Sequence, residues 1–304
     1  MTLTRTLMAR LREQLGHGDP LPPPPPVPDI PAPPARVFPT RQARGRFAEQ
    51  AAAHTTALVG IGHVGTRYAT DVALQFQAEL AVAHEAVAAV LPEGWAEAHG
   101  LLPLQSRVAD HHAFLLRPDL GRRLDEPSRE RLRARAEKGV DVQPILADGL
   151  SAVACMGSGL ALLEHLARAC AARGWRVGTL MCARFARVWL EDDIGAEVGA
   201  RVAVIVLGER PGLGTGDGLS AYMVFDPRVG RTDSDRNMIS NIHPRGTPPA
   251  QAAQRLALLA EAMLAQRTSG VGLDLSSIRK ELGESAGRVP RAPLARVRLV
   301  EVDR

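Results

Sequence analysis

Glycine recurs at positions 208, 212, 214, 216 and 218, beginning with the run Gly208-Glu209-Arg210-Pro211-Gly212-Leu213-Gly214. Glycine accepts positive φ and lets a ligand come close to the backbone. The stretch follows the β-branched run Arg201 to Leu207, so it lies at the carboxyl end of a strand, where open α/β sheets bind ligands. It lacks the Gly-Lys-Ser/Thr ending of a phosphate loop. A second apolar run, Ala221 to Phe225, follows where a dinucleotide fingerprint would open a long helix. A standard nucleotide site is therefore disfavoured, while an unusual ligand loop and a plain tight connection both remain open. Asp148 to Ser151 and Phe185 to Asp192 are the corresponding turns after two other candidate strands.

Little else suggests self-contained catalysis. None of the nine histidines falls in a His-Glu-x-x-His pattern, and no Gly-x-Ser-x-Gly occurs. The neighbours His111 and His112 cannot share a helix face and read as a surface pair. His243 sits in Ser240-Asn241-Ile242-His243-Pro244 and reads better as a loop hydrogen-bonder than as a catalyst. The three cysteines, Cys155, Cys170 and Cys182, have no C-x-x-C spacing. That argues against a disulfide framework or zinc site and for a reducing cytosol.

The 37 basic and 33 acidic residues are interspersed and aromatics make up 4%, which disfavours a nucleic-acid groove or a base-stacking platform. No apolar run reaches the roughly 18 residues of a spanning helix, so no membrane association is expected.

Residues 1–16 place Leu3, Leu7, Met8, Leu11 and Leu15 on one helical face. Residues 17–40 are proline-dominated, a composition that favours an extended tether. A docking or targeting peptide and a solubilising arm both fit this preface. Residues 41–135 read as mainly helical, with helices over Asp71 to Val90 and Ser128 to Lys138. From residue 136 the pattern changes. Strands are expected at 142–147, 176–181, 185–190, 201–207 and 221–225, and helices at 160–173 and from a Thr247 cap with Pro248 at its first position. Strands alternating with helices, and lacking polar alternation, indicate an α/β fold with a mostly parallel, doubly wound, Rossmann-like sheet preceded by a helical N-terminal region. The domain spans 136–273. Residues 274–304 form a C-terminal extension in which Val297 to Val302 is either an edge strand or part of a loose tail.

Several longer motifs occur in order: Leu116-Arg117-Pro118-Asp119-Leu120-Gly121-Arg122-Arg123-Leu124; Asp141-Val142-Gln143 leading to Asp148-Gly149-Leu150-Ser151; Arg187-Val188-x-x-Glu191-Asp192-x-Ile194-Gly195; the glycine-rich turn; Asp235-Arg236-x-x-Ile239-Ser240-Asn241-Ile242-His243; and Gly246-Thr247-Pro248-Pro249. Over residues 55–273 this set resembles the small subunit, or light chain, of adenosylcobalamin-dependent ethanolamine ammonia-lyase.

The resemblance implies a lyase subunit, active only with a separate large subunit, in an enzyme that converts ethanolamine to acetaldehyde and ammonia by radical chemistry. It implies that the small subunit covers the cobalamin at the subunit interface. By the same resemblance Val188, Glu209 and Met238 are the cofactor-binding positions, with no catalytic residue and no metal ligand supplied by this chain. The family usually has cysteine where Met238 stands. It also carries Gly-Arg-x-Gly and Arg-Phe-x-x-Asp-His runs where this chain has Gly62-His63-Val64-Gly65 and Gln75-Phe76-Gln77-Ala78-Glu79-Leu80. These departures keep open a diverged, non-catalytic cobalamin-binding or scaffold paralogue. The family's N-terminal helix can address a bacterial microcompartment shell, a role that residues 1–16 would fill, so the expected location is cytoplasmic, with or without such a shell.

Overall fold

The computed structural model describes Gln50, residues 63–64, 66–213, 216–244 and 246–276. The expected helix over 1–16, the proline-rich tether and the strand at 297–302 lie outside these residues. Strand β1 (His63–Val64) pairs antiparallel with β2 (Arg67–Tyr68), and helix α1 (Thr70–Ala88) follows. The chain divides into two units between Gln75 and Phe76, inside α1.

The second unit is built on one six-stranded sheet. Helix α2 (Trp95–Ala98) leads into β3 (Leu102–Gln105), then α3 (His111–Leu116), a 3-10 turn (Leu120–Arg122) and α4 (Glu126–Arg135). Strand β4 (Val142–Ala147) continues into a helical arm: one turn, α5 (Ala152–Ala154), a π-helical stretch (Cys155–Gly159) and α6 (Leu160–Ala171). Then come β5 (Met181–Arg184), α7 (Leu190–Val198), β6 (Val202–Gly208), β7 (Leu219–Phe225), β8 (Arg236–Ile242) and α8 (Pro249–Gln266). The strand order is β3-β5-β4-β6-β7-β8. The pairs β3/β5, β4/β5 and β4/β6 are parallel, whereas β6/β7 and β7/β8 are antiparallel. The α/β class and the mostly parallel sheet are as expected, and the antiparallel ribbon makes the sheet mixed.

Side chains alternate between two layers. Leu146, Val204, Val206, Ala221 and Met223 pack under α6 and α8. Ile145, Ala147, Met181, Ala183, Ile205 and Leu207 pack under α4 and α7. Strands β4 and β6 are buried at every position, as parallel strands covered on both faces require.

Three expected elements are corrected. Residues 185–190 do not form a strand. Phe185 takes φ +54°, in the left-handed region, and Leu190 already starts α7. The strand expected at 176–181 is β5, displaced to 181–184; Val177 makes only an isolated bridge to Val142. Thr247 does not cap α8. It bridges Ile242, Pro248 occupies the cap, and Arg267 at φ +55° ends the helix.

Candidate functional site

Three turns meet at the carboxyl ends of β4, β5 and β6. The buried Asp148 accepts from the backbone N–H groups of Phe185 (2.8 Å) and Ala186 (3.2 Å). These bonds hold the turn after β5 against the turn after β4. Burial pushes the Asp148 carboxyl up to about 6, against the lowering effect of those N–H donors. Leu150 N–H donates to the Gly208 carbonyl at 2.8 Å. Gly149 has φ +55°, and a Cβ there would strike that same carbonyl. A Cβ on Gly208 would strike the Ser151 carbonyl. These two glycines therefore serve close backbone approach. Ser151 Oγ also donates to the Gly216 carbonyl at 3.1 Å.

The glycine-rich stretch is a hairpin loop between antiparallel strands. Gly208 pairs with Leu219, and Glu209 N–H donates to the Gly218 carbonyl at 2.9 Å. This explains why no helix follows it.

Glu209 and Met238 flank Tyr222 on the layer of α4 and α7, and Val188 packs against the same layer. The Tyr222 hydroxyl donates to Glu209 Oε1 at 3.1 Å. Met238 is the direct cross-strand partner of Tyr222 and is 49% exposed. Val188 and Tyr222 both pack, half-buried, against the Ile205–Leu207 core layer. Glu209, Tyr222 and Met238 are thus joined by contact or register, and Val188 by the shared layer. Along β8 burial falls away beyond Arg236, leaving Met238 and Ser240 exposed while Ile239 packs beneath α8. One face of the β7–β8 ribbon is therefore covered and the other is partly open. The open part offers a carboxylate acceptor, a phenol ring and the Met238 thioether.

A buried charge cluster anchors this face. Arg236 Nη1 meets Glu191 Oε1 at 2.8 Å, and Nη2 meets Asp192 Oδ2 at 2.6 Å. Asp193 accepts instead from Leu124 N–H at 2.9 Å and from Arg129 at 3.0 Å. These consecutive acids occupy the first turn of α7, where the helix dipole favours negative charge. Burial holds the Glu191 carboxyl up at about 8, only partly offset by Arg236. Asp192 is raised as well, again by burial. Arg236 meets both carboxyls directly, and Arg231 and Arg123 also favour the charged form of Asp192. Glu191 Oε2 has no hydrogen-bond partner among the described residues, whereas both Asp192 oxygens meet Arg236.

The remaining motif residues join the same assembly. Arg187 N–H donates to the Gly121 carbonyl at 2.8 Å. Its guanidinium lies 4.1 Å from the Phe114 ring centroid, and burial lowers its pKa. Arg122 stacks on Trp189 at 4.4 Å. The 116–124, 187–195 and 235–243 motifs are thus parts of one contact network.

A family model for the ethanolamine ammonia-lyase light chain (EutC) matches residues 46–274. The chain belongs to the ethanolamine ammonia-lyase light chain family. Membership makes it a subunit of a lyase and implies a partner large subunit. The matched span includes Val188, Glu209 and Met238, and it leaves residues 1–45 and 275–304 outside. For a light chain, the Arg236 cluster and Tyr222 are the features that the sequence reading missed. The adjacent acids Glu191-Asp192 near an arginine motif were the available signal for the first; Tyr222 carried none.

Other features lie apart from this site. His243 is buried, with Nε2 2.7 Å from Asn241 Oδ1, and holds its loop. The three cysteines are free and buried. A cavity of about 220 Å³ beside α2, lined by Trp95, Gln105, Arg131 and Arg184, includes none of the nominated residues. Among the described residues no group of three or more His, Cys, Asp or Glu side chains could hold a metal ion, and no helix is long and apolar enough to cross a membrane.

Proposed function

We propose that this light chain covers adenosylcobalamin at the interface with the large subunit of an ethanolamine ammonia-lyase, using the open face around Tyr222. The observation that supports this reading most is the grouping of Glu209, Tyr222 and Met238 on one partly open face, with Val188 on the same layer.

The donor set suits the group. A corrin presents a broad apolar surface rimmed by amide side arms. Val188 and Met238 supply apolar contact, and Glu209 supplies an acceptor for amide N–H. A thioether at 238 gives adaptable apolar bulk in place of the family's usual thiol. When bound, the cofactor supplies the cobalt–carbon homolysis that begins conversion of ethanolamine to acetaldehyde and ammonia. This chain's residues orient the cofactor and shield one side of it from water.

In this reading the α/β unit that carries β3 to β8 is the cobalamin-covering domain; β3 and α4 belong to its sheet and helical layer, so it begins before residue 136, and 274–304 are a C-terminal extension. The assembly is a cytoplasmic hetero-oligomer, and residues 1–16 address it to a microcompartment shell in a host that builds one. A reporter fused to residues 1–20 that stays diffuse in such a host would reject the address.

Co-expression with a cognate large subunit should give ethanolamine deamination that depends on adenosylcobalamin. Glu209→Ala should weaken cobalamin binding in the complex while leaving the melting temperature of the chain unchanged. Binding at wild-type affinity would move the site elsewhere. Assembly without turnover would favour the non-catalytic paralogue.

A further inference from the structure

Tyr222 stands at the centre of the grouping, although no motif nominates it. Its ring faces the Ile205–Leu207 layer, and its strand register sets it between Ile205 of β6 and Met238 of β8. Phenylalanine would satisfy that packing equally well. What the hydroxyl adds is a bond to Glu209 Oε1 at 3.1 Å.

Glu209 is the residue most in need of such a bond. It lies on the hairpin loop immediately after β6, half-buried, on a side chain with three rotatable bonds. Its backbone is already held by the N–H bond to the Gly218 carbonyl. The phenol ties down the far end as well. A carboxylate has two oxygens and several lone pairs, so one bond to Oε1 leaves Oε2 able to accept from a ligand. Burial and then the Glu209 charge push the Tyr222 phenol up to about 12. Asp233 and Glu191 act in the same direction. The hydroxyl therefore remains a donor throughout the neutral range.

We propose that Tyr222 is a positioning residue that orients the Glu209 carboxylate to accept hydrogen bonds from the amide N–H groups of a bound ligand. This inference rests on the cobalamin-covering reading, in which the corrin's amide arms are those donors. Without the hydroxyl, ordering of the glutamate would be deferred to the binding step, and an immobilised flexible side chain typically weakens binding by about three- to tenfold.

The test uses the full chain assembled with its large subunit and the binding of cyanocobalamin, measured by equilibrium dialysis so that turnover plays no part. Glu209→Ala, Tyr222→Phe and the double variant form a cycle. Tyr222→Phe retains the ring, so assembly and melting temperature should match wild type. Its affinity should fall by about three- to tenfold, Glu209→Ala should fall at least as far, and the double variant should bind no worse than Glu209→Ala alone. If Tyr222→Phe binds like wild type while Glu209→Ala is weak, the positioning role is overturned and the cobalamin reading stands. Additive losses in the double variant overturn it too, because the phenol would then act independently of Glu209. If Glu209→Ala binds like wild type, or the wild-type complex takes up no cobalamin, both the reading and this inference fall.

Discussion

The parallel part of the sheet and its antiparallel ribbon handle polarity differently. Strands β4 and β6 are enclosed on both faces, with Val142, Ile145, Leu146 and the run Val202 to Val206 entirely removed from solvent. Their only buried polar side chain is Gln143, whose amide donates to the Pro144 and Thr179 carbonyls. In the ribbon, β8 begins with the buried Arg236 and then alternates between a face beneath α8 and a face that opens toward solvent. The enclosed part gains stability from apolar burial. The ribbon is held to α7 by a buried ion cluster, which is costly to desolvate but directional. A cluster of that kind can hold an edge strand beside an open face without covering the face with apolar side chains. That arrangement leaves Tyr222 and Met238 available to a partner molecule.

Arg236→Ala tests the ribbon's anchor and should have the largest effect. Removing the Arg236 guanidinium leaves the buried Asp192 carboxylate without its bidentate partner, a loss of about 3–5 kcal/mol in urea unfolding. A loss below about 1 kcal/mol, the scale of an exposed pair, would mean that the cluster does not hold the ribbon.

Glu191→Gln sharpens the same point through pH. The folded chain holds the Glu191 carboxyl up at about 8, against an ordinary value of 4.5. Between those values the folded state keeps a proton that the unfolded state has released. Stability contributed by that proton is present at the low end and is lost as pH rises through the window. Glu191→Gln should flatten the stability profile over this window, as read from melting temperatures in matched buffers. An unchanged slope would place the retained proton elsewhere.

Met238→Ala should be the mildest. The side chain is 49% exposed, so stability should change by no more than about 0.5 kcal/mol. A larger change would show that the open face is instead part of the core.

The legible parts of the fold were those with one dominant environment. Strand β4 has the expected bounds, and β6 is displaced by a single residue, because β-branched and apolar residues buried on both faces leave an uninterrupted signature. Strands β3 and β8 left none. The first is Leu102-Pro103-Leu104-Gln105, four residues with a proline on a sheet edge. The second is Arg236-Asn237-Met238-Ile239-Ser240-Asn241-Ile242, whose polar residues suit an open face and an ion cluster rather than a core. Phe185 to Leu190 failed in the opposite way. It is apolar enough for a strand, but its first backbone N–H groups are committed to the Asp148 carboxylate, and the chain turns there with positive φ.

By itself the sequence determined the α/β class, the buried strands, the glycine loop at a strand's carboxyl end and the ordered motifs that mark the light-chain family. Those are properties of neighbouring residues: periodicity, β-branching and spacing. Tertiary structure decided what the motifs do for one another. Arg236 finds Glu191 and Asp192 across 45 and 44 positions of chain, and Tyr222 reaches Glu209 only because an antiparallel hairpin folds β7 back along β6. Such pairings depend on strand register and on which face each side chain takes, and local spacing carries no record of either.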